Sequence, residues 1–339
     1  MANRLSARTP EVSTSEILRD LVPPPHFRSV SFENYLPDPA QPSQLAAVAA
    51  LQAFAQRINQ VTATKRGLFR RAAPPEARAG VYLDGGFGVG KTHLLAALWN
   101  VAPEPKTYGT FVEYTNLVGL LGFRNAVEAL AVNKLVCIDE FELDDPGDTV
   151  LLSTLLGELV NRGVRLAATS NTLPEKLGEG RFAAEDFLRE IQGLSAHFDV
   201  LRIDGEDYRH RELIATPPAL DDEVVVDAID RVPGAAVDDF SQLLAHLATV
   251  HPSRYGALVG DTTLLGLTRA RTVTDQAQAL RLVVLIDRLY DRDVPVLLGG
   301  VAPDAIFSVE MLAGGYRKKY FRAISRLVSL AQSGQAVIG

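Results

Sequence analysis

The chain has one cysteine, Cys137, and no run that approaches the roughly 18 uninterrupted apolar residues of a membrane span. A lone cysteine excludes an internal disulfide framework, and inside the apolar run "KLVCID" it reads as a buried core thiol. Basic residues are outnumbered, 34 Lys and Arg against 41 Asp and Glu, for a formal net charge of −7. That balance argues against a protein that coats nucleic acid by bulk electrostatics, though a local basic patch remains open. The six histidines show no H-x-x-x-H or H-E-x-x-H spacing, which argues against a transition-metal site. No G-x-S-x-G is present on which to build a Ser-His-Asp hydrolase. Nor does the chain open on a charged-then-apolar signal pattern, so the expected location is the cytoplasm.

With 339 residues, 47% of them apolar, the chain is long enough for two domains that each bury a core. Residues 1–30 read as a flexible tail, and residues 31–79 as a lead-in with the amphipathic helix "QLAAVAALQAFAQRI". From residue 80, short β-rich runs "GVYLD", "TFVEYT", "KLVCID", "VRLAATS" and "FDVLRID" alternate with helical stretches. Such alternation implies a parallel α/β sheet over 80–214. Near "TPPALDDE" the alternation breaks, and residues 215–339 form a smaller region. There the spacing predicts a helix at 239–250, a strand at "LLGLTRART", a helix at "DQAQALRLVVLIDRLYDR", a strand at "VPVLLGG" and a closing helix over 316–332.

"GGFGVGKT" matches G-x-x-x-x-G-K-[ST], with a strand before it and a helix after it, as that pattern requires. Glycines let backbone N–H groups curl around a polyphosphate, and the following helix adds the positive end of its dipole. The nucleotide-binding set is therefore Gly85, Gly86, Phe87, Gly88, Val89, Gly90, Lys91, Thr92 and His93. Lys91 would reach the β- and γ-phosphates of ATP, and the Thr92 hydroxyl would meet Mg²⁺. "LVCIDE" ends a strand on two acids: Asp139 to hold the metal shell and Glu140 to activate water. Asn171, at the end of "LAATSN", is placed to hydrogen-bond the γ-phosphate or the attacking water.

Six of the ten positions from Asp139 to Asp148 are acidic, more than one metal site uses. Asp145 before Pro146, with Asp148 three further on, has the form of an N-cap, a proline at the first helical position and an acid near the helix N-terminus. Glu142 and Asp144 read as solvated loop.

"GGFGVGKTHLL", "LVCIDEFELDDPGD", "AATSNTLPEKL", "EDFLREI" and "DVLRIDGEDYR", in this order, resemble the ZapE-type AFG-like ATPases, a branch of the AAA+ superfamily. The resemblance implies a P-loop core with a five-stranded parallel sheet in the order 5-1-4-3-2, a smaller C-terminal α/β domain and lid-like behaviour of that domain. It implies Mg²⁺-dependent ATP hydrolysis, a homo-oligomer with nucleotide at the subunit interface, and a division-machinery client such as polymers of FtsZ. Mitochondrial relatives within the resemblance look like quality-control factors for inner-membrane proteins. Between Asn171 and Phe187 the usual leucine-tyrosine and glutamine-arginine signature is replaced by "LGEGRFAA". For the arginine finger that AAA+ oligomers set against a neighbour's γ-phosphate, Arg181 is the first candidate and Arg189 the second.

The run "YRKKYFRAISR" interleaves basic and aromatic residues as single-strand nucleic-acid binders do. At helical spacing, however, Tyr316, Tyr320 and Ile324 share a face that reads as core, while Arg322 and Arg326 share one that reads as solvated or as a second nucleotide sensor. "KRGLFRR" at 65–71 reads as an exposed basic loop. A nucleic-acid client and a nucleotide-gated adaptor that seldom hydrolyses are the rival readings. Glu140 counts against the adaptor, since a pure switch can lose its catalytic acid.

Overall fold

The computed structural model describes residues 3–11, 13–64, 78–86, 88–141, 146–173, 192–193, 195–205 and 216–338. The chain divides into two compact units, Thr14–Glu212, and Leu213–Gly339 together with Met1–Ser13.

In the first unit, helices α1 (Thr14–Arg19) and α2 (Pro42–Thr64) precede strand β1 (Gly80–Gly85) and helix α3 (Lys91–Val101). Strand β2 (Lys106–Thr110), helices α4 (Phe111–Leu121) and α5 (Phe123–Leu130), strand β3 (Leu135–Asp139), helix α6 (Pro146–Asn161), strand β4 (Arg165–Ser170) and strand β5 (Phe198–Ile203) follow. The strands lie in the order β2-β3-β4-β1-β5, and every pairing is parallel. Read from the other edge this is 5-1-4-3-2, the expected AAA+ order. All five residues of β3 are buried, as suits a central strand covered on both faces. Cys137 within it is a fully buried core thiol, as expected.

The second strand departs from the expectation at "TFVEYT": β2 ends at Thr110, and the rest of that run starts α4. A capping box sets the boundary: Glu113 N donates to Thr110 Oγ1 at 3.3 Å, and Thr110 N donates to Glu113 Oε2 at 2.7 Å. Phe111, Tyr114, Leu117 and Val118 then fall on one buried helical face, so β-prone residues were serving helix periodicity. Helix α6 does begin at Pro146, the residue expected at the first helical position. Glu142, Asp144 and Asp145 lie outside the described residues, as does the side chain of Asp148.

The second unit holds helix α7 (Asp222–Arg231), strand β6 (Ala236–Asp239), helices α8 (Phe240–Leu247) and α9 (Tyr255–Val259), strand β7 (Leu265–Thr268), helix α10 (Gln276–Asp291), strand β8 (Val296–Leu298), and helices α11 (Val309–Ala313) and α12 (Arg317–Ile338). β6, β7 and β8 form a parallel three-stranded sheet in that order. β6 escaped the sequence reading because "AVDD" has two apolar residues before two acids, too short a run to register. α12 lies so close to β8 that a Cβ on Gly334 would collide with the carbonyl of Val296.

Residues 1–30, expected as a flexible tail, contain buried anchors instead. Ile17 and Leu21 are buried in the first unit, where Tyr108 N donates to Leu21 O at 2.9 Å. Leu5 is fully buried in the core of the second unit. These anchors are too widely spaced to show a period, so the sequence pattern missed them.

The arginines of α12 also depart from expectation. Rather than facing solvent, Arg322 donates to Asp287 Oδ2 at 2.8 Å and Arg326 pairs with Asp287 Oδ1, which ties α12 to α10. The Arg326 guanidinium also lies 5.2 Å over the Tyr290 ring. Tyr320 is buried as its face predicted, and Tyr316 and Ile324 pack against the same core.

Candidate nucleotide site

The strand order decides what meets at the carboxyl ends of the sheet. β4 lies between β1 and β3. Its end therefore sits beside both the loop leaving β1 and the acids ending β3, in the region where open α/β sheets place ligands.

The loop after β1 curls through two left-handed glycines, Gly88 at φ 68° and Gly90 at φ 87°. Such a turn gathers backbone N–H groups into an anion-binding concavity at the start of α3. Lys91, the first residue of α3, is 9% exposed, and its Nζ donates to Gly85 O at 2.8 Å, Gly86 O at 2.5 Å and Asn171 Oδ1 at 2.8 Å. The structure thus brings together Lys91 and Asn171, 80 residues apart. A Cβ on Gly86 would meet nothing within 4 Å, which leaves open space beside this loop.

Asp139, buried at 6% exposure, is held by donors on both oxygens. Thr92 Oγ1 donates to its Oδ1 at 3.3 Å, Thr169 Oγ1 donates to the same oxygen, and Tyr108 OH donates to Oδ2 at 2.9 Å. Burial raises the Asp139 pKa, and the adjacent Glu140 charge adds to the rise. The hydrogen bonds from Thr169, Tyr108 and Thr92 work against both. A hydroxyl beside a carboxylate is hard oxygen chemistry, which fits Mg²⁺, and Thr92 and Asp139 are the residues that would hold it.

Glu140 follows at φ 55°, a left-handed conformation that a non-glycine residue holds only when its surroundings impose it. Its N–H donates to Thr169 Oγ1 at 3.0 Å and to Asp139 Oδ1 at 3.2 Å. The next N–H, of Phe141, donates to Thr169 O at 2.7 Å. Thr169 therefore fixes the acid pair from β4, two residues before Asn171 takes Lys91.

Tyr35 from the lead-in covers the loop. Its OH donates to Val89 O at 2.9 Å, and its ring lies 5.5 Å from that of His93. The His93 Nε2 is 3.0 Å from Ser31 O, so this side chain engages the lead-in. Phe87, Arg181, Arg189 and the basic run 65–71 lie outside the described residues.

Sequence reasoning missed Tyr35, Tyr108 and Thr169. Only Thr169 left a trace, as a polar residue that follows the apolar run Leu166–Ala168 in β4. The Thr169→Val variant, which keeps shape but loses the hydroxyl, is expected to lower kcat by roughly tenfold or more with KM for ATP little changed, since positioning groups act in the transition state. Thr169→Ser should restore most of it; equal losses in both variants would assign Thr169 to packing alone. Gly90→Ala forces a side chain into a left-handed position, where its Cβ would lie 2.5 Å from Tyr35 Cε2. The expected cost is about 1–3 kcal/mol, read as a lower melting temperature and weaker binding of a fluorescent ATP analogue.

The family model described as AFG1-like ATPase matches residues 11–232 and 221–336. The cell division protein ZapE of Escherichia coli K12 is 34% identical over 146 residues, which cover 40% of this chain and 39% of ZapE. The chain thus matches about two fifths of that relative's length. The lactation elevated protein 1 homolog B of Danio rerio is 34% identical over 92 residues, covering 27% of this chain and 18% of the relative. Among solved structures, domain III of the Thermotoga maritima replication initiation protein DnaA aligns at a TM-score of 0.40 and 19% identity, covering 59% of this chain and 73% of that one. That likeness is too slight to bear on function. The family match spans nearly the whole chain and contains every described residue of the candidate nucleotide site: the chain belongs to the AFG1-like ATPase family.

Proposed function

We propose that the chain binds ATP with Mg²⁺ and hydrolyses it to remodel a protein client of the cell-division machinery. The observation that carries the ATPase reading is the meeting of Lys91, Asn171, Thr92 and Asp139 at the ends of β1, β3 and β4. Lys91 exchanges its carbonyl partners for phosphate oxygens, and Asn171 is then free to hold the γ-phosphate or the attacking water. Glu140, its backbone fixed by Thr169, orients that water and takes its proton as the water oxygen bonds to phosphorus and ADP leaves. Mg²⁺, when bound, neutralises charge on the phosphate oxygens.

A neighbouring subunit would complete the charge clamp with Arg181, or Arg189 in its place, which makes the working form a homo-oligomer. A cell-division client is supported by the ZapE relative's name; FtsZ polymers are the specific client proposed here, from the sequence resemblance alone. Cytoplasmic location is part of the same reading; among the described residues no helix is long and apolar enough to cross a membrane. Nucleic acid is the less favoured client, because Arg322 and Arg326 are engaged by Asp287.

The test pairs ATP-driven phosphate release with cosedimentation of FtsZ polymers, using the chain and its Lys91→Ala variant. Release that is lost in the variant supports the ATPase. Polymer unaffected by the chain with ATP would remove the FtsZ client while leaving the ATPase standing.

A further inference from the structure

The ATPase reading makes no use of residues 3–10, yet they are seated in the second unit like a bound peptide. Asn3 bridges Ala236 in parallel at the free edge of β6, and Val237 N donates to Asn3 O at 2.9 Å. Asp238, 1% exposed, accepts from Leu5 N at 2.7 Å and Ser6 N at 3.0 Å. The Leu5 side chain is fully buried in the core cluster that includes Phe240 and Leu243. Arg8 Nη1 donates to Leu258 O at 2.9 Å, Val259 O at 2.8 Å and Thr262 Oγ1 at 2.9 Å. Two of those acceptors are carbonyls at the C-terminal end of α9, where a cation is favoured. His246 Nε2 lies 2.8 Å from Arg8 O.

These are the parts of a peptide site: one main-chain bridge at a sheet edge, a carboxylate that accepts from the first amides of the 3-10 turn Leu5–Ala7, an apolar pocket for one side chain and a seat for a cation. With the segment seated, its two amides give Asp238 the partners that offset the desolvation the segment imposes on the carboxylate.

We propose that residues 3–10 are an intramolecular peptide ligand, reversibly seated in a groove of the second unit that selects a peptide pairing once at the β6 edge and then making a 3-10 turn, with leucine at its start and arginine three residues later. The consequence lies in the connectivity. The chain leaves this unit at Ser13 and returns to it at Leu213. With the segment seated, two covalent links join the units; with it released, one does. Groove occupancy is thus a latch on the freedom of the second unit, and the tether supplies the segment at high effective concentration.

The experiment uses the full chain lacking residues 1–12 and a fluorescein-labelled peptide of residues 2–12, followed by anisotropy. Saturable binding is expected, weakened at least about tenfold by Leu5→Ala or by Arg8→Ala in the peptide, with the intact chain also binding at least about tenfold more weakly because its groove is filled. Substitutions in the peptide leave the protein untouched. If the truncated chain does not fold, full-length Leu5→Asp, which ejects the resident segment, takes its place. Equal affinity of the three peptides, or no binding by a chain whose circular dichroism is native, overturns the groove. In the intact chain, the Leu5 and Ser6 amides are expected to exchange with deuterium at least about tenfold faster than those of Leu265 and Leu267 in β7. Equal rates overturn the latch.

Discussion

Replacing Glu140 by glutamine is expected to leave ATP bound and largely unhydrolysed. The Glu140 backbone is held by Asp139 and Thr169, so the substitution changes the proton-accepting power of one side chain and little else. Loss of a general base costs roughly 10²–10⁴ in rate, and turnover should fall within that range. Affinity for a fluorescent ATP analogue should move by less than about threefold, because the proposed site assigns phosphate binding to Lys91 and the loop amides. Single-turnover phosphate release beside equilibrium nucleotide binding separates the two effects. Turnover that survives in Glu140→Gln would end the assignment of the water-activating acid. A parallel loss of affinity would mean that Glu140 shapes the nucleotide site rather than the chemistry.

The largest expected effect on stability comes from Asp287. Its side chain is 16% exposed, and those of Arg322 and Arg326 are 17% and 21% exposed, so the triad is mostly withdrawn from water. Burial alone would raise the Asp287 pKa, but the charges of Arg322 and Arg326 outweigh it and leave the group below the ordinary carboxylate value. Asp287→Ala removes the carboxylate that two mostly buried guanidinium groups share, a loss that costs about 3–5 kcal/mol when one partner of a buried pair is removed. Denaturant titration, with hydrogen exchange followed in α10 and α12, should show the second unit opening first.

The pH dependence has a definite sign. With the folded-state pKa depressed, Asp287 contributes its full stability above the unfolded value of about 3.9, and loses it as pH falls through the folded value. The gap between wild type and Asp287→Ala should therefore be widest near neutrality and narrow below about pH 4. A gap that stays constant down to pH 3 would show that packing, and not charge, ties α12 to α10.

The peptide groove at β6 belongs to the same unit but to different residues. Truncating residues 1–12 and substituting Asp287 touch separate contacts, and their effects on stability should add. Non-additivity would place the segment and the α10–α12 pairing in one cooperative block.

Local spacing by itself determined much of this protein. Glycines at the interval that a phosphate loop needs, two acids closing an apolar strand, and proline at the start of α6 are each read within a dozen residues. They depend on backbone conformation and helix or strand period, which neighbours in sequence control. The same reasoning failed at "TFVEYT", where β-prone residues obeyed a capping box, and at "AVDD", where the strand was too short to show a period.

Tertiary structure alone decided the rest. That Asn171 takes Lys91, that Thr169 grips both acids of the β3 end, that Tyr108 holds the second oxygen of Asp139 and that Asp238 accepts from Leu5 and Ser6 are contacts between residues 29 to 233 positions apart. No local pattern encodes them. They exist because β4 is inserted between β1 and β3, because β2 pairs with β3 and because β6 keeps a free edge in its sheet, and strand order is settled by how buried faces pack across the whole chain.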